Sequence, residues 1–495
     1  MVRCLCALFL SALCAWATSP YDAKDLLIGA SQQYSRDKSW KPANGLALEV
    51  SGMALMPNGD PVVCVRKGEI YLVKGAYGND KPTFHLYARG LHEPLGMIQS
   101  EGDLYVTQRA EVTRIRDRNG DGIADSYRSF GSGWGLSGNY HEYAFGPAMD
   151  GKGRMWVTLN IGMGKNSSPW ADWRGWGGFI EEGKFKPMCA GMRSPAGLAA
   201  NLDGEVFCVD HQGNWFGMSP LYHLKKGSFF GHRESLAGTG RKLAPKLLFN
   251  PEKSKLDGIP YPEAVRKMPG LTPPAVWFPY EKTARGLTGV TLDDTGGKFG
   301  PFAGQLFVGE FTQASICRVF LEKVGGEYQG ACFRFMESLP SAVLRMVFGK
   351  DGSMFVGMSN RGWSSLGTAS YGLQRLRWNG KMPFEIQEMR SRPDGFEFVF
   401  TKPVARNSAM DENSFSVTSY THLYQSRYGS KEIDQRHHAV QPLSLSKDGR
   451  RLTLKVSDLR ELYVFEARAN GIRSTNGELL VHPDAYYTLN RIPEK

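Results

Sequence analysis

Short apolar runs recur along the chain, each introduced by a polar turn that contains glycine. Asn58-Gly59-Asp60 precedes the run 62–65, Gly102-Asp103 precedes 104–106, and Gly153-Arg154 precedes 155–157. The pattern returns at Asp203-Gly204-Glu205 before 206–209, at Gly304-Gln305 before 306–308, and at Asp351-Gly352-Ser353 before 354–356. Turn residues followed by β-branched and aromatic positions of period two predict a strand after each turn. The turn glycines stand at 59, 102, 153, 204, 304 and 352, spaced by 43, 51, 51, 100 and 48 residues. Four of those intervals fall near the ~40–50 residues of one four-stranded propeller blade.

The long interval has room for a seventh blade or for an insertion. Residues 233–272 lack period-two runs and carry Lys246, Pro251, Lys253, Pro260 and Pro262, which favours an insertion. The expected architecture is all-β: a six-bladed β-propeller over 45–382, then a small immunoglobulin-like β-sandwich over 384–495. The second part rests on strand patterns such as Phe396-Glu397-Phe398-Val399-Phe400 and Leu452-Thr453-Leu454-Lys455-Val456, with turns at Asp448-Gly449-Arg450 and Asn476-Gly477.

Composition agrees with a turn-rich β protein, since 58 of 495 residues are glycine, well above the usual ~7%. The net charge of +11 comes from scattered Lys and Arg without a dense run, which argues against a nucleic-acid partner. Residues 1–17 read as an export leader, with Arg3, an apolar stretch and Ala15-Trp16-Ala17 before a cleavage near Ala17. No later stretch is long and apolar enough to span a bilayer, so the expected product is secreted or periplasmic. Beyond Cys4, Cys6 and Cys14 of the leader, five cysteines remain, an odd and widely spaced set that reads as buried small side chains rather than a disulfide framework. The absence of Cys-x-x-Cys-His leaves the chain without its own c-type haem.

Several loops carry chemistry. Asp117, Asn119, Asp121, the Ile123 carbonyl and Asp125 present oxygen ligands in the alternating pattern of a calcium loop, with Arg128 where a helix-pair site has Glu. His141, beside Glu142 on a loop entering a blade, is a candidate general base. Arg193 in Gly191-Met192-Arg193-Ser194-Pro195 and Arg345 before the last repeat strand are candidate anion binders. The run Asp172-Trp173-Arg174-Gly175-Trp176 suits stacking on a planar group, and Asn166-Ser167-Ser168 is a formal glycosylation acceptor.

In combination, Tyr140-His141-Glu142, Arg193-Ser194-Pro195, Phe302-Ala303-Gly304-Gln305-Leu306-Phe307-Val308, Arg345 and Gly372-Leu373-Gln374-Arg375 resemble the soluble glucose/sorbosone dehydrogenases over about 45–380. The resemblance implies a six-bladed propeller that binds pyrroloquinoline quinone and calcium and oxidises a sugar or polyol. In that reading His141 takes a hydroxyl proton, Arg193, Ser194 and Arg345 hold the anionic cofactor and the developing oxyanion, and carbonyls near Gly213 and Asn214 hold calcium. Electrons pass to a separate acceptor. The chain departs from the family at Ser194, where those enzymes carry Asn, and at Glu310-Phe311-Thr312-Gln313, which lacks their lysine. A non-catalytic carbohydrate-binding or assembly module is the alternative, and calcium-dependent lactone hydrolysis a third reading. The oligomeric state is not legible.

Overall fold

The computed structural model describes residues 19–29, 46–164, 171–248 and 256–494. The export leader, the 166–168 acceptor and positions 251 and 253 of the insertion lie outside the described residues.

The chain is nearly all β, with the sheet order of a β-propeller. Its first part forms successive four-stranded antiparallel units. The first unit comprises Val50–Leu55, Pro61–Val65, Glu69–Lys74 and Thr83–Ala88, and the second Met97–Ser100, Asp103–Thr107, Glu111–Arg116 and Ser126–Ser132. The third contains Ala144–Met149, Met155–Leu159, Trp176–Glu181 and Lys184–Ala190, and the fourth Gly197–Ala200, Val206–Val209, Ser219–His223 and Val276–Phe278. Leu287–Leu292, Leu306–Glu310, Ser315–Val324 and Glu327–Met336 make the fifth, and Val343–Phe348, Met354–Ser359 and Tyr371–Trp378 begin the sixth.

Each apolar run read from the sequence becomes the second strand of a unit. All residues of those second strands are buried, because neighbouring sheets cover both faces, and this produces their continuous hydrophobicity. The glycine before each run has φ between 75° and 88°, a left-handed turn that residues with a Cβ enter at a cost. The first strand of every unit packs against the first strands of the units before and after it, and the sixth returns to the first, so the cycle closes around one axis.

A segment to which the sequence pattern assigned nothing completes the ring. Tyr21–Gly29 pairs antiparallel with Tyr371–Trp378 as the outermost strand of the sixth unit, in register from Tyr21 opposite Trp378 to Gly29 opposite Tyr371. The two ends of the repeat region are thereby clasped in one sheet. The 100-residue interval holds no additional four-stranded sheet among its described residues. It contains the short helical turn Arg233–Gly238 and the helix Tyr261–Lys267, which carries Pro262 in its first turn, where the missing N–H costs no helical hydrogen bond.

Beyond the ring, Ile386–Arg392, Gly395–Phe400, Arg451–Val456 and Val440–Leu445 form one sheet. Ser416–Thr421, Ile433–His438, Tyr463–Arg468 and Asp484–Leu489 form a second. They share a core that includes Phe396, Phe398, Leu452, Leu454, Phe465 and Tyr487. Asp484–Leu489 also pairs with Glu327–Met336, so this second sheet continues the fifth unit. The buried Arg318 guanidinium, set between the rings of Phe302 and Phe333 at 4.2 and 4.1 Å, donates to the carbonyls of Ile386 and Gln387 across the junction. All five described cysteines are buried and unpaired, and burial pushes the Cys64 thiol up to about 11.

Candidate functional site

In an antiparallel unit the connections alternate between the two ends, so the first–second and third–fourth turns share one end. The second–third loops and the links between units share the other. Every repeat glycine therefore lies at the first end, while a cavity of about 760 Å³ opens among the irregular loops of the second. His141 reaches it from the link between the second and third units, Arg193 and Ser194 from the link between the third and fourth, and Arg345 from the inner strand Val343–Phe348. These residues, far apart in sequence, line one cavity.

His141 is fixed in one tautomer. Its Nδ1 lies 2.9 Å from the carbonyl oxygen of Ile161, which can only accept, so Nδ1 carries the proton and Nε2 keeps its lone pair. Nε2 lies 3.4 Å from Ser194 Oγ, and Oγ accepts from Arg193 Nη1 at 3.2 Å. Burial, reinforced by the Arg193 and Arg109 charges, lowers the imidazole to about 4, so it is neutral at pH 7. Glu142 plays no part in holding the ring. It is fully buried and accepts from the backbone and hydroxyl of Ser137.

The cavity is strongly basic. Arg66, Arg193, Arg285, Arg345 and Arg361 line it, with Glu49 as the only carboxylate among the lining residues. Glu49 is clamped by Arg361, Arg66 pairs with Glu93, and Arg285 with Glu281. Arg193 has no carboxylate in salt-bridge range among the described residues, and its buried Nε makes no hydrogen bond. Its Nη1 donates to Ser194 Oγ at 3.2 Å and its Nη2 lies 3.7 Å from Met163 Sδ, so the guanidinium keeps its charge without a carboxylate beside it. Arg345 differs from its expected role as an open fork. It spends Nη1 and Nη2 on the carbonyls of Leu344 and Leu95, 2.6 and 2.7 Å away, and burial lowers it to about 10. It supplies a fixed positive charge in the wall.

Two residues that shape the site, Asp210 and His211, stand just ahead of the Gly213 and Asn214 carbonyls expected to hold calcium. The Asp210 carboxylate, fully buried, accepts from the backbone N–H groups of Arg193, Ser194 and His211, each at 2.7 Å, and so folds the loop that presents them. Burial pushes its carboxyl up to about 6 against the pull of those donors. His211 also lines the cavity. Its Nε2 donates to the Leu287 carbonyl at 2.6 Å, and burial lowers it to about 4.

The remaining candidates lie elsewhere. Gly213 and Asn214 are absent from the cavity lining. The Gly213 carbonyl already accepts from the N–H groups of Phe216 and Gly429, and Asn214 donates to the Ser426 carbonyl. Asp117, Asn119, Asp121, Ile123 and Asp125 occupy a third–fourth turn, hence the end opposite the cavity. There Asp117 accepts from the N–H groups of Gly120 and Gly122, Asp121 from that of Ile123, and Asp125 pairs with Arg118. The turn satisfies its own carboxylates, and the described residues contain no cluster of three or more His, Cys, Asp or Glu side chains placed to hold a metal. Trp173 and Trp176 are buried packing residues, and Arg174 donates to the carbonyls of Gly135 and Tyr143 rather than facing a ligand.

No protein-family model matches the chain, and no curated protein does. Among solved structures, it is similar to a putative oxidoreductase (glucose dehydrogenase) of Thermus thermophilus at 15% identity and a TM-score of 0.48, covering 72% of this chain and 99% of that one. The PQQ-bound aldose sugar dehydrogenase of Streptomyces coelicolor is similar at 13% identity and a TM-score of 0.43, over 72% and 98% of the two chains. The PQQ domain of a Coprinopsis cinerea pyranose dehydrogenase gives 10% identity and 0.46, over 73% and 96%.

Proposed function

We propose that this chain is an exported sugar or polyol dehydrogenase whose active site is the arginine-lined cavity, with His141 as the general base. The architecture in this reading is a six-bladed propeller over 45–382 and an immunoglobulin-like sandwich over 384–495, behind a leader cleaved near Ala17. One observation carries the reading: a neutral imidazole, with its proton on Nδ1 and an Nε2 lone pair 3.4 Å from Ser194 Oγ, at the wall of a cavity that also holds the Arg193 guanidinium, which has no carboxylate in salt-bridge range among the described residues. An Nε2 lone pair in that position accepts the proton of a bound hydroxyl, and the Arg193 charge stabilises the oxygen left behind.

The residues present suit pyrroloquinoline quinone, a planar anion, through Arg193 and the positive wall of Arg345. When bound, the quinone supplies a hydride acceptor, from which electrons go to a separate partner. They do not suit calcium at the cavity. The Gly213 carbonyl is taken by two N–H donors, Asp210 by three, and Glu49 by Arg361. The same shortage of donors favours the second reading, in which the cavity binds carbohydrate without turnover, and it leaves lactone hydrolysis without a metal site among the described residues.

The test is reconstitution of the purified full chain with pyrroloquinoline quinone, with and without calcium, followed by dye reduction over a sugar and polyol panel. Substrate-dependent reduction supports the dehydrogenase. Sugar binding without quinone uptake and without reduction supports the binding module.

A further inference from the structure

The C-terminal region and the insertion were unused by the reading above, yet the C-terminal region reaches the cavity through Tyr428 and the insertion packs behind the loop that carries it. Five aromatic side chains of the described residues stand out as exposed: Tyr140 at 67%, Tyr428 at 64%, Trp363 at 48%, Tyr127 at 42% and Tyr280 at 38%. All but Tyr127 line this one cavity. Single exposed apolar residues need no explanation, whereas four rings gathered on one rim do.

Tyr428 comes from the loop that joins the strand Ser416–Thr421 to Ile433–His438, in the sheets that follow the ring. That loop is fastened to the ring. The Trp215 N–H donates to the Gln425 carbonyl at 2.7 Å, the Gly429 N–H to the Gly213 carbonyl at 2.9 Å, and the Asn214 amide to the Ser426 carbonyl at 2.7 Å. The insertion braces it from behind. Ile259 pairs with Tyr424, the Tyr261 N–H donates to the His422 carbonyl at 2.8 Å, and Asp257 accepts from both the N–H and the hydroxyl of Ser426. Inside the loop, the Gln425 amide donates to the Gly429 carbonyl at 2.6 Å. So much fixed backbone beneath a ring left open to solvent marks a preorganised contact surface rather than a frayed tip. The Tyr428 ring lies 5.2 Å from the Arg193 guanidinium, which places it directly over the anion receptor.

We infer that Tyr428 is a sugar-stacking platform supplied by the C-terminal region, and that the site takes a residue of an extended saccharide in preference to a free monosaccharide. Flat aromatic faces beside polar groups bind the apolar faces of pyranose rings. Rings spread around a rim of an approximately 760 Å³ cavity offer such faces to more than one sugar unit. The insertion and the C-terminal loop then act together as a specificity element, setting Tyr428 in place. This inference rests on the proposed sugar site but not on redox chemistry.

Calorimetric titration of the full chain, without quinone, tests it. Cellotetraose, maltotetraose, xylotetraose and tetragalacturonate are each compared with their own monomer. At least one tetramer should bind ten-fold or more tightly than its monomer. Tyr428→Ala should bring that ratio to within two-fold of unity, while Tyr428→Trp should retain it. Because the side chain is mostly exposed, the alanine variant should fold, which its melting curve would verify. A panel in which no tetramer is preferred, or a ratio untouched by Tyr428→Ala, overturns the inference. The predicted calorimetry without any dye reduction would instead reject the dehydrogenase reading alone.

Discussion

Lowering the pH from 7 to 4 perturbs His141 by an amount the structure specifies. The ring gains one hydrogen bond that favours its charged form, from Ile161, and faces three influences that disfavour it: burial first, then Arg193 and Arg109. The net value of about 4, against 6.5 for a free imidazole, leaves roughly 0.1% of the ring charged at pH 7. The drop from 6.5 to about 4 corresponds to about 3 kcal/mol favouring the neutral form. The sign follows from proton linkage. Between pH 6.5 and 4 the unfolded chain binds this proton and the folded chain does not, so the contribution is full above 6.5 and is lost as pH falls toward 4. A ¹⁵N-detected NMR titration, with the resonance assigned by its loss in His141→Gln, reads both the midpoint and the tautomer. The expected spectrum at pH 6 shows a proton on Nδ1 and a bare Nε2. A saturating anionic ligand that neutralises Arg193 should raise the midpoint by on the order of one unit. A midpoint between 6 and 7, or a proton on Nε2, would refute the assignment of His141 as a preset base.

Asp210→Ala leaves three N–H groups of the loop 193–211 without their buried acceptor and should cost on the order of 3–5 kcal/mol in urea unfolding. Because the folded Asp210 carboxyl sits near 6 rather than 3.8, the wild type should lose about 3 kcal/mol relative to Asp210→Asn as pH rises from 4 to 6, measured by paired denaturation curves. Gly213→Ala places a Cβ about 2.5 Å from Arg193 Nε, which forces the guanidinium to move. Quinone affinity should fall about ten-fold by absorbance titration, a loss of about 1.4 kcal/mol. An unchanged affinity would mean that Arg193 is not the receptor.

The ring was legible because its second strands are buried on both faces and its first turns require left-handed glycines, two constraints that act locally on the sequence. Tyr21–Gly29 escaped notice for the opposite reason. It is an outermost strand with a mixed burial pattern, and only pairing with Tyr371–Trp378 gives it meaning. His141, Arg193 and Arg345 could be picked out because positions ahead of a repeat strand, on the links between units for His141 and Arg193 and on the inner strand Val343–Phe348 for Arg345, face the same cavity. Their functional states could not, since the tautomer of His141 depends on a carbonyl 20 residues away and the tethering of Arg345 on Leu95. In the Asp117–Asp125 turn the carboxylates accept from the turn's own N–H groups. The alternating carboxylates that suggest calcium are equally the acceptors an isolated turn needs for its own N–H groups. Tyr428 left no local signal, because its place over Arg193 is set by tertiary contacts of the C-terminal loop.

The most direct test compares kcat/KM for dye reduction by wild type and His141→Gln, both loaded with pyrroloquinoline quinone to the same occupancy. Glutamine can still donate to Ile161 but cannot take a proton, so the rate should fall by about 10²–10⁴ with quinone affinity unchanged. Equal rates in the two proteins would contradict the claim that this imidazole performs the proton transfer.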